Sequence, residues 1–270
     1  MKKLILGGTY FPTHEENLMH SEGDLAAARE VFLKNRPNNL NYLLQSRYGW
    51  MNEYINGQKE IKELGAGAGF SKVFIESPNL KLTDYKFQPW IDEEVDALNT
   101  PFQDGSIDIL ICSHMIHHLA SPVKFFREAS RVLKPGGLIL ISEINTALTM
   151  RVLLRMMRHE GWSYDVDVFD ENAICNDHVD PWSANCATPE LLYRDKKLFE
   201  EKISDFKILR NERTEFAIFP LSGGVIAKAK TINLPRWMLK LVAGVDRVLI
   251  ALMPQVFALG RRVVLKKRGG

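Results

Sequence analysis

The sequence predicts an α/β fold: a mostly parallel sheet with helices on both faces, an N-terminal helical segment and a lid insertion. Three observations carry this. Short apolar runs alternate with segments of helical period. The run "IDILICS" (107–113) is apolar almost throughout, as suits a strand buried on both faces. A loop with glycine at every second position, 65–69, directly follows the first apolar run, where such sheets hold their ligands.

Residues 24–56 have a helical pattern. Leu25, Ala28, Val31 and Phe32 share one face, and Tyr42, Leu43, Tyr48, Trp50, Met51 and Tyr54 follow. "IKEL" (61–64) reads as the first strand, then a short helix, then "LKLTD" (80–84) as the second. After 107–113 comes a helix over 121–133, with Val123, Phe126, Ala129, Val132 and Leu133 on one side. Ser121 suits its cap and Pro122 its first turn. "KPGG" (134–137) reads as a turn and "LILISEI" (138–144) as another buried strand.

Residues 146–200 break the rhythm. They are rich in Asp, Asn, Trp and His, and read as an insertion over the site. "FKILR" (206–210) and "TEFAIFPL" (214–221) have strand-like composition, 234–253 reads as a helix, and 257–267 as a final strand. The chain is expected to be one domain: a helical segment 1–57, a ligand-binding half 58–145, the lid 146–200, and C-terminal strands with a helix 201–270.

With 270 residues, 46% of them hydrophobic, the chain suffices for one core with a lid. A net charge of +2 gives no electrostatic case for nucleic acid. Cys112, Cys175 and Cys186 form no disulfide framework and suit a reducing compartment. Zinc on Cys175, His178 and Cys186 lacks a C-x-x-C pair, so no metal is expected. The apolar part of the N-terminus is too short for a signal peptide, and no uncharged stretch reaches the ~18 residues of a spanning helix. A cytoplasmic protein is expected.

The glycine loop is neither of the two common phosphate loops. A dinucleotide fingerprint starting at Gly65 would need glycine where Phe70 stands, and no Gly-Lys-Ser/Thr is present. This favours a nucleoside ligand without pyrophosphate. Asp84 ends the second strand, where a carboxylate can accept hydrogen bonds from vicinal ribose hydroxyls. "LILGGTYFPTH" (4–14) is similar to the opening of nucleotidylyltransferases, but the second histidine of their H-x-G-H is missing.

Glu63–Gly69 reads E-x-G-x-G-x-G, 96–102 reads D-A-x-x-x-P-F, 117–119 reads H-H-L and 131–137 reads R-V-L-K-P-G-G. Together they resemble a class I S-adenosylmethionine-dependent methyltransferase of the broad small-molecule type 11 group, over residues 60–145. The resemblance implies a Rossmann-like, seven-stranded, mostly parallel sheet and S-adenosyl-L-methionine as cofactor. It implies that Glu63 and the loop Gly65, Ala66, Gly67 and Gly69 face the methionine part, and that Asp84 holds the ribose. Asp96 and Ala97 would flank adenine, and Ser113 and His114 would lie beside the sulfonium.

Methyl transfer from a sulfonium needs alignment and exclusion of water, and an oxygen acceptor usually also needs a base. His114 and His117 are the candidate bases, and His118 belongs to the recurrent H-H-L stretch. The lid offers His159, Asp165, Asp167, His178 and Asp180. The alternation Asp165, Asp167, Asp170 suggests an alternative, a divalent ion gripping a sugar diol. No N/D-P-P-Y/F stretch follows the fourth strand and no Pro-Cys pair exists, which disfavours nucleic-acid acceptors.

On the helix 234–253, Trp237, Met238, Leu241, Val242, Val245, Val248, Leu249 and Leu252 fall on one broad face, flanked by Arg236, Lys240 and Arg247. This face either packs inward or on a second copy, or it lies in a membrane interface. The leading expectation is methylation, at oxygen, of a small or lipid-linked organic acceptor in a site formed by the lid and this helix; peripheral contact at the inner membrane face through 234–253 is the alternative to packing of its apolar face. The rivals are a metal-assisted methyltransferase of a glycan or lipopolysaccharide precursor, and a non-catalytic methyltransferase-like protein that binds a partner or membrane. The sequence does not give the oligomeric state.

Overall fold

Alternate residues of Ile107–Ser113 go to opposite faces of one sheet: Leu110 and Cys112 into one apolar cluster, Ile109 and Ile111 into the other. The same alternation recurs in Leu133–Ile144, with Ile139 and Ile141 against Leu140. This two-sided burial is why these runs are apolar throughout.

The computed structural model describes residues 8–18, 23–55, 57, 59–176, 183–226 and 229–269. Its strands are β1 (Thr9–Tyr10), β2 (Ile61–Leu64), β3 (Leu80–Asp84), β4 (Glu93–Glu94), β5 (Ile107–Ser113), β6 (Leu133–Ile144), β7 (Trp162–Ser163), β8 (Phe206–Thr214) and β9 (Gly260–Lys267). Its helices are α1 (Leu25–Asn35), α2 (Asn38–Tyr48), α3 (Pro122–Val132), α4 (Leu148–Met157), α5 (Thr188–Tyr193), α6 (Lys196–Lys202), α7 (Ile218–Leu221), α8 (Arg236–Leu252) and α9 (Pro254–Phe257). The main sheet has seven strands in the order β4-β3-β2-β5-β6-β9-β8. The pairs from β4 to β6 are parallel, and β9 is antiparallel to both β6 and β8. This is the Rossmann-like α/β fold the sequence predicts. β1 and β7 form a separate two-stranded sheet.

One face of the sheet is covered by α3 and the insertion, where Phe125, Phe126, Tyr193, Phe199 and Phe206 are fully buried. The other face is covered by the N-terminal helices and part of α8, with Phe32, Leu43, Leu44, Phe70 and Leu239 inside. The helical stretch expected over 24–56 is broken at Arg36, which takes a left-handed φ of 43° just before Pro37. Proline disfavours the helical conformation in the residue before it, so α1 and α2 meet at a corner.

Three local expectations are corrected. The helix expected between the first two strands is only a short 3-10 turn, Phe70–Val73. "KPGG" is an irregular start of β6, not a separate turn: the pairing jumps from Ile107 with Leu133 to Ile109 with Leu138. Lys134 Nζ holds Asp108 Oδ2 at 2.8 Å across this irregularity. Finally, 214–221 does not form a strand. The carboxylate of Asp246, buried on α8, accepts from the backbone N–H of Phe216, Ala217 and Ile218 at 3.1–3.2 Å. It thereby caps α7, a tertiary contact that overrides strand-like composition.

Candidate active site

The parallel register brings four strand ends together. Leu64 pairs with Thr83 and Cys112, and Ser113 pairs with Ser142. The residues that follow these ends border a cleft of about 1190 Å³. Ligand sites of this kind commonly run to about 300–1,000 Å³, so there is room for a nucleoside cofactor and an acceptor side by side.

The glycine loop forms one wall. Gly65, Gly67 and Gly69 have φ of 67°, 52° and 65°, in the left-handed region that glycine adopts without cost. At Gly65 a Cβ would stand 2.4 Å from Met115 Cγ, whereas at Gly67 the nearest neighbour is Leu25 at 3.8 Å. The backbone at Gly67 is therefore open to close approach. Asp84 Oδ2 accepts from Gly67 N at 2.7 Å and Trp90 Nε1 donates to Gly67 O at 2.8 Å, which fixes the loop. Arg29 of α1 donates to Ala68 O at 2.7 Å.

Of the expected cofactor residues, Gly65, Ala66, Gly67, Asp84, Asp96, Ala97, Ser113 and His114 all line the cleft. Asp96 is exposed and Ala97 half-buried. Gly69 is buried behind the loop. Glu63 is fully buried beneath it and does not line the cleft. Ser71 donates to its Oε2, and its Oε1 has no partner among the described residues. Burial pushes the Glu63 carboxyl up to about 8.

His114, at the end of β5, takes a φ of 52°, uncommon for a non-glycine residue. Its N–H donates to Ser142 O at 2.8 Å, and its buried Nε2 has no partner among the described residues. Burial, then the neighbouring Arg47, hold its imidazole well below the usual histidine range, so it is neutral at pH 7. His117 is different. Its Nδ1 lies 2.6 Å from Glu143 Oε2, and its Nε2 lies 3.8 Å from Glu160 Oε2. Burial opposes its charge, but Glu143 and Glu160 outweigh burial and raise it to about 10. His118 Nδ1 donates to Ser183 O at 2.8 Å. Burial opposes ionisation of Glu160 as well, yet His117 and His118 hold its carboxyl well below the carboxylate range.

The segment 146–200 borders the cleft with Met150, Leu154, Met157, His159, Glu160 and residues 171–174. No described residue of 234–253 lines it, which corrects the expectation that this helix shares in the acceptor site. Asp165, Asp167 and Asp170 are exposed and do not line the cleft; each accepts a local or surface hydrogen bond, from Thr9, Phe169 N and Asn172 N respectively. They give no support to a diol-gripping ion. His178 and Asp180 lie outside the described residues. Two contributions escape the sequence reading. Asp24, Leu25, Leu44, Arg47 and Tyr48 bring the N-terminal helices to the cleft, and Glu160 faces the histidines from the insertion. Their only sequence signal is polar or charged residues set beside apolar helix faces.

Residues 64–141 match the family model described as Methyltransferase domain. That stretch resembles the core of a methyltransferase domain and takes in the glycine loop and the ends of β3 and β5. The chain is similar to part of the Hybrid PKS-NRPS synthetase LUC5 of a Fusarium species, 28% identical over 129 residues that cover 39% of this chain and 3% of that protein. It is also similar to the demethylmenaquinone methyltransferase of Paenarthrobacter aurescens, 28% identical over 37% of this chain and 46% of that enzyme. The chain thus spans less than half the length of either relative. A SAM dependent methyltransferase from Archaeoglobus fulgidus superposes with a TM-score of 0.49 at 16% identity, over 88% of this chain and 99% of that one.

The cleft fits S-adenosylmethionine on its own features. Gly67 with its open backbone, Asp84 at the end of β3 and His114, whose buried Nε2 has no partner among the described residues, all line the cleft.

Proposed function

We propose that the protein transfers a methyl group from S-adenosylmethionine to the oxygen of a small or lipid-linked organic acceptor held under the 146–200 insertion. The observation that carries this is the single cleft that joins the glycine loop and Asp84 to His114 and the roof of the insertion. S-adenosylmethionine supplies a methyl group on a positively charged sulfur, already activated for displacement. Asp84 holds the ribose hydroxyls, Asp96 and Ala97 border the adenine, and the loop Gly65–Gly69, buttressed by Glu63, takes the methionine part.

The acceptor lies between His114 and the apolar roof of Met150, Leu154 and Met157, which excludes water. As the acceptor oxygen forms its bond to the methyl carbon, the carbon–sulfur pair returns to sulfur and the hydroxyl proton leaves. His114, which lines the cleft, receives that proton on Nε2 once its side chain turns to the acceptor; the imidazole is neutral, and its Nε2 has no partner among the described residues. His117 serves as a positioning residue, because both ring nitrogens already face Glu143 and Glu160.

A lipid-linked acceptor is favoured by α8. Trp237, Leu241, Val245, Val248 and Leu252 are all exposed and follow one another at intervals of three or four residues along one ridge. The core-facing alternative is served instead by Leu239, Asp246 and Ile250 on the opposite side. Arg236, Lys240 and Arg247 each precede a ridge residue by one, about 100° around the helix, so they flank the ridge as cations flank an interfacial helix. No helix among the described residues is long and apolar enough to cross a membrane.

The test is to incubate purified protein and methyl-labelled cofactor with fractionated cell extract. Label in the organic phase supports a lipid-linked acceptor, and label in the aqueous small-molecule pool supports a soluble one. Label confined to protein or nucleic acid would overturn the assignment.

A further inference from the structure

His117 Nε2, a carboxylate oxygen of Glu160 and Cys186 Sγ lie within 4.8 Å of one another at the roofed end of the cleft. They come from three separate places: the turn after β5, the loop after α4 and the approach to α5. Glu160 Oε2 is 3.2 Å from Cys186 Sγ and 3.8 Å from His117 Nε2. Zinc bonds of about 2.0–2.3 Å at tetrahedral angles put neighbouring donor atoms roughly 3.3–3.7 Å apart. The observed separations already approach that arrangement.

The surroundings are those of a prepared ligand set. Glu143 Oε1 accepts from Met115 N at 2.8 Å and Ile116 N at 2.6 Å, and its Oε2 takes His117 Nδ1 at 2.6 Å. A histidine that donates its Nδ1 proton to a fixed carboxylate presents its other nitrogen as a metal ligand, the usual support of such histidines. His117 and Cys186 are buried, while Glu160 is half-buried on the cleft wall beside His118.

We propose that His117, Glu160 and Cys186 bind a borderline-soft divalent ion of the zinc type. The nitrogen, oxygen and sulfur donors select against magnesium and calcium, which take oxygen alone. Three protein donors leave one position open, and since His117 and Glu160 line the cleft, that position would hold the acceptor hydroxyl. Binding displaces the protons on Cys186 Sγ and His117 Nε2 to solvent. The use of the ion in methyl transfer rests on the function proposed above; the site itself does not.

The test uses the full chain, stripped with a chelator and titrated with Zn²⁺ by calorimetry and with Co²⁺ by absorption. S-adenosylhomocysteine binding is measured in parallel, so that loss of the metal site and failure of the cofactor reading give separate results. One ion per chain is expected, with a thiolate-to-cobalt charge-transfer band. Cys186→Ser should abolish the band, and Glu160→Gln, a second variant with a less buried side chain, should weaken binding. Glu143→Gln should weaken it by about 10–100-fold. Cys175→Ser should leave it unchanged. Absence of saturable binding by the wild type, or binding that folded Cys186→Ser retains in full, would overturn the proposal and leave a hydrogen-bonded Cys–Glu–His cluster.

Discussion

His117 Nδ1 and Glu143 Oε2 meet at 2.6 Å in a fully buried position and tie the turn after β5 to the end of β6. Glu143 also accepts from the backbone of Met115, Ile116 and Ile144. One carboxylate thus fixes the turn that carries His114 and His117. Glu143→Ala would leave these donors without a partner. Breaking a buried, charge-assisted set of this kind costs about 3–5 kcal/mol, read as a fall in the urea midpoint. An unchanged midpoint would deny Glu143 its anchoring role.

Gly65 and Gly57 separate two costs. Both have φ near 67°, but only Gly65 faces a neighbour a Cβ would strike, Met115 at 2.4 Å. Gly57→Ala should cost the backbone term alone, about 1–2 kcal/mol. Gly65→Ala should cost more and should also weaken S-adenosylhomocysteine binding. Equal losses in the two variants would mean the loop tolerates the added methyl.

Glu63 makes stability depend on pH. Burial raises its carboxyl from 4.5 to about 8, so the folded state keeps a proton that the unfolded state releases. The stability it contributes is present in full below pH 4.5 and is lost as pH rises toward about 8. Melting curves recorded across this window should show wild type losing ground to Glu63→Gln as pH rises. Parallel curves would contradict this.

The α8 ridge should be dispensable for folding and required for membranes. Replacing Trp237, Leu241 and Val245 with serine removes exposed side chains, so each change should alter stability by no more than about 0.5 kcal/mol. Co-sedimentation with anionic vesicles should fall sharply in the triple variant. Wild-type protein that stays in the supernatant would remove the membrane reading.

The sheet was legible because β5 and β6 are buried on both faces and so carry unbroken apolar runs. The glycine loop was legible because left-handed backbone demands glycine at 65, 67 and 69. What stayed hidden depends on distant partners. Asp246 caps α7 from thirty residues away, and nothing within 214–221 announces it. His117 reads locally as a base, yet Glu143, placed by another element, takes its Nδ1, and Glu160 stands 3.8 Å from its Nε2. On α8 both sides are apolar, so periodicity alone does not say which side faces the core; the buried Leu239, Asp246 and Ile250 decide it.

The most direct test of the central claim is calorimetric titration of S-adenosylhomocysteine into wild-type protein and Asp84→Ala. One site per chain is expected in the wild type. Affinity in the variant should be at least about tenfold weaker, the loss expected for hydrogen bonds to a charged group worth about 1.5–3 kcal/mol. A folded wild-type protein that takes up no S-adenosylhomocysteine, or a variant that binds it equally well, would contradict the account.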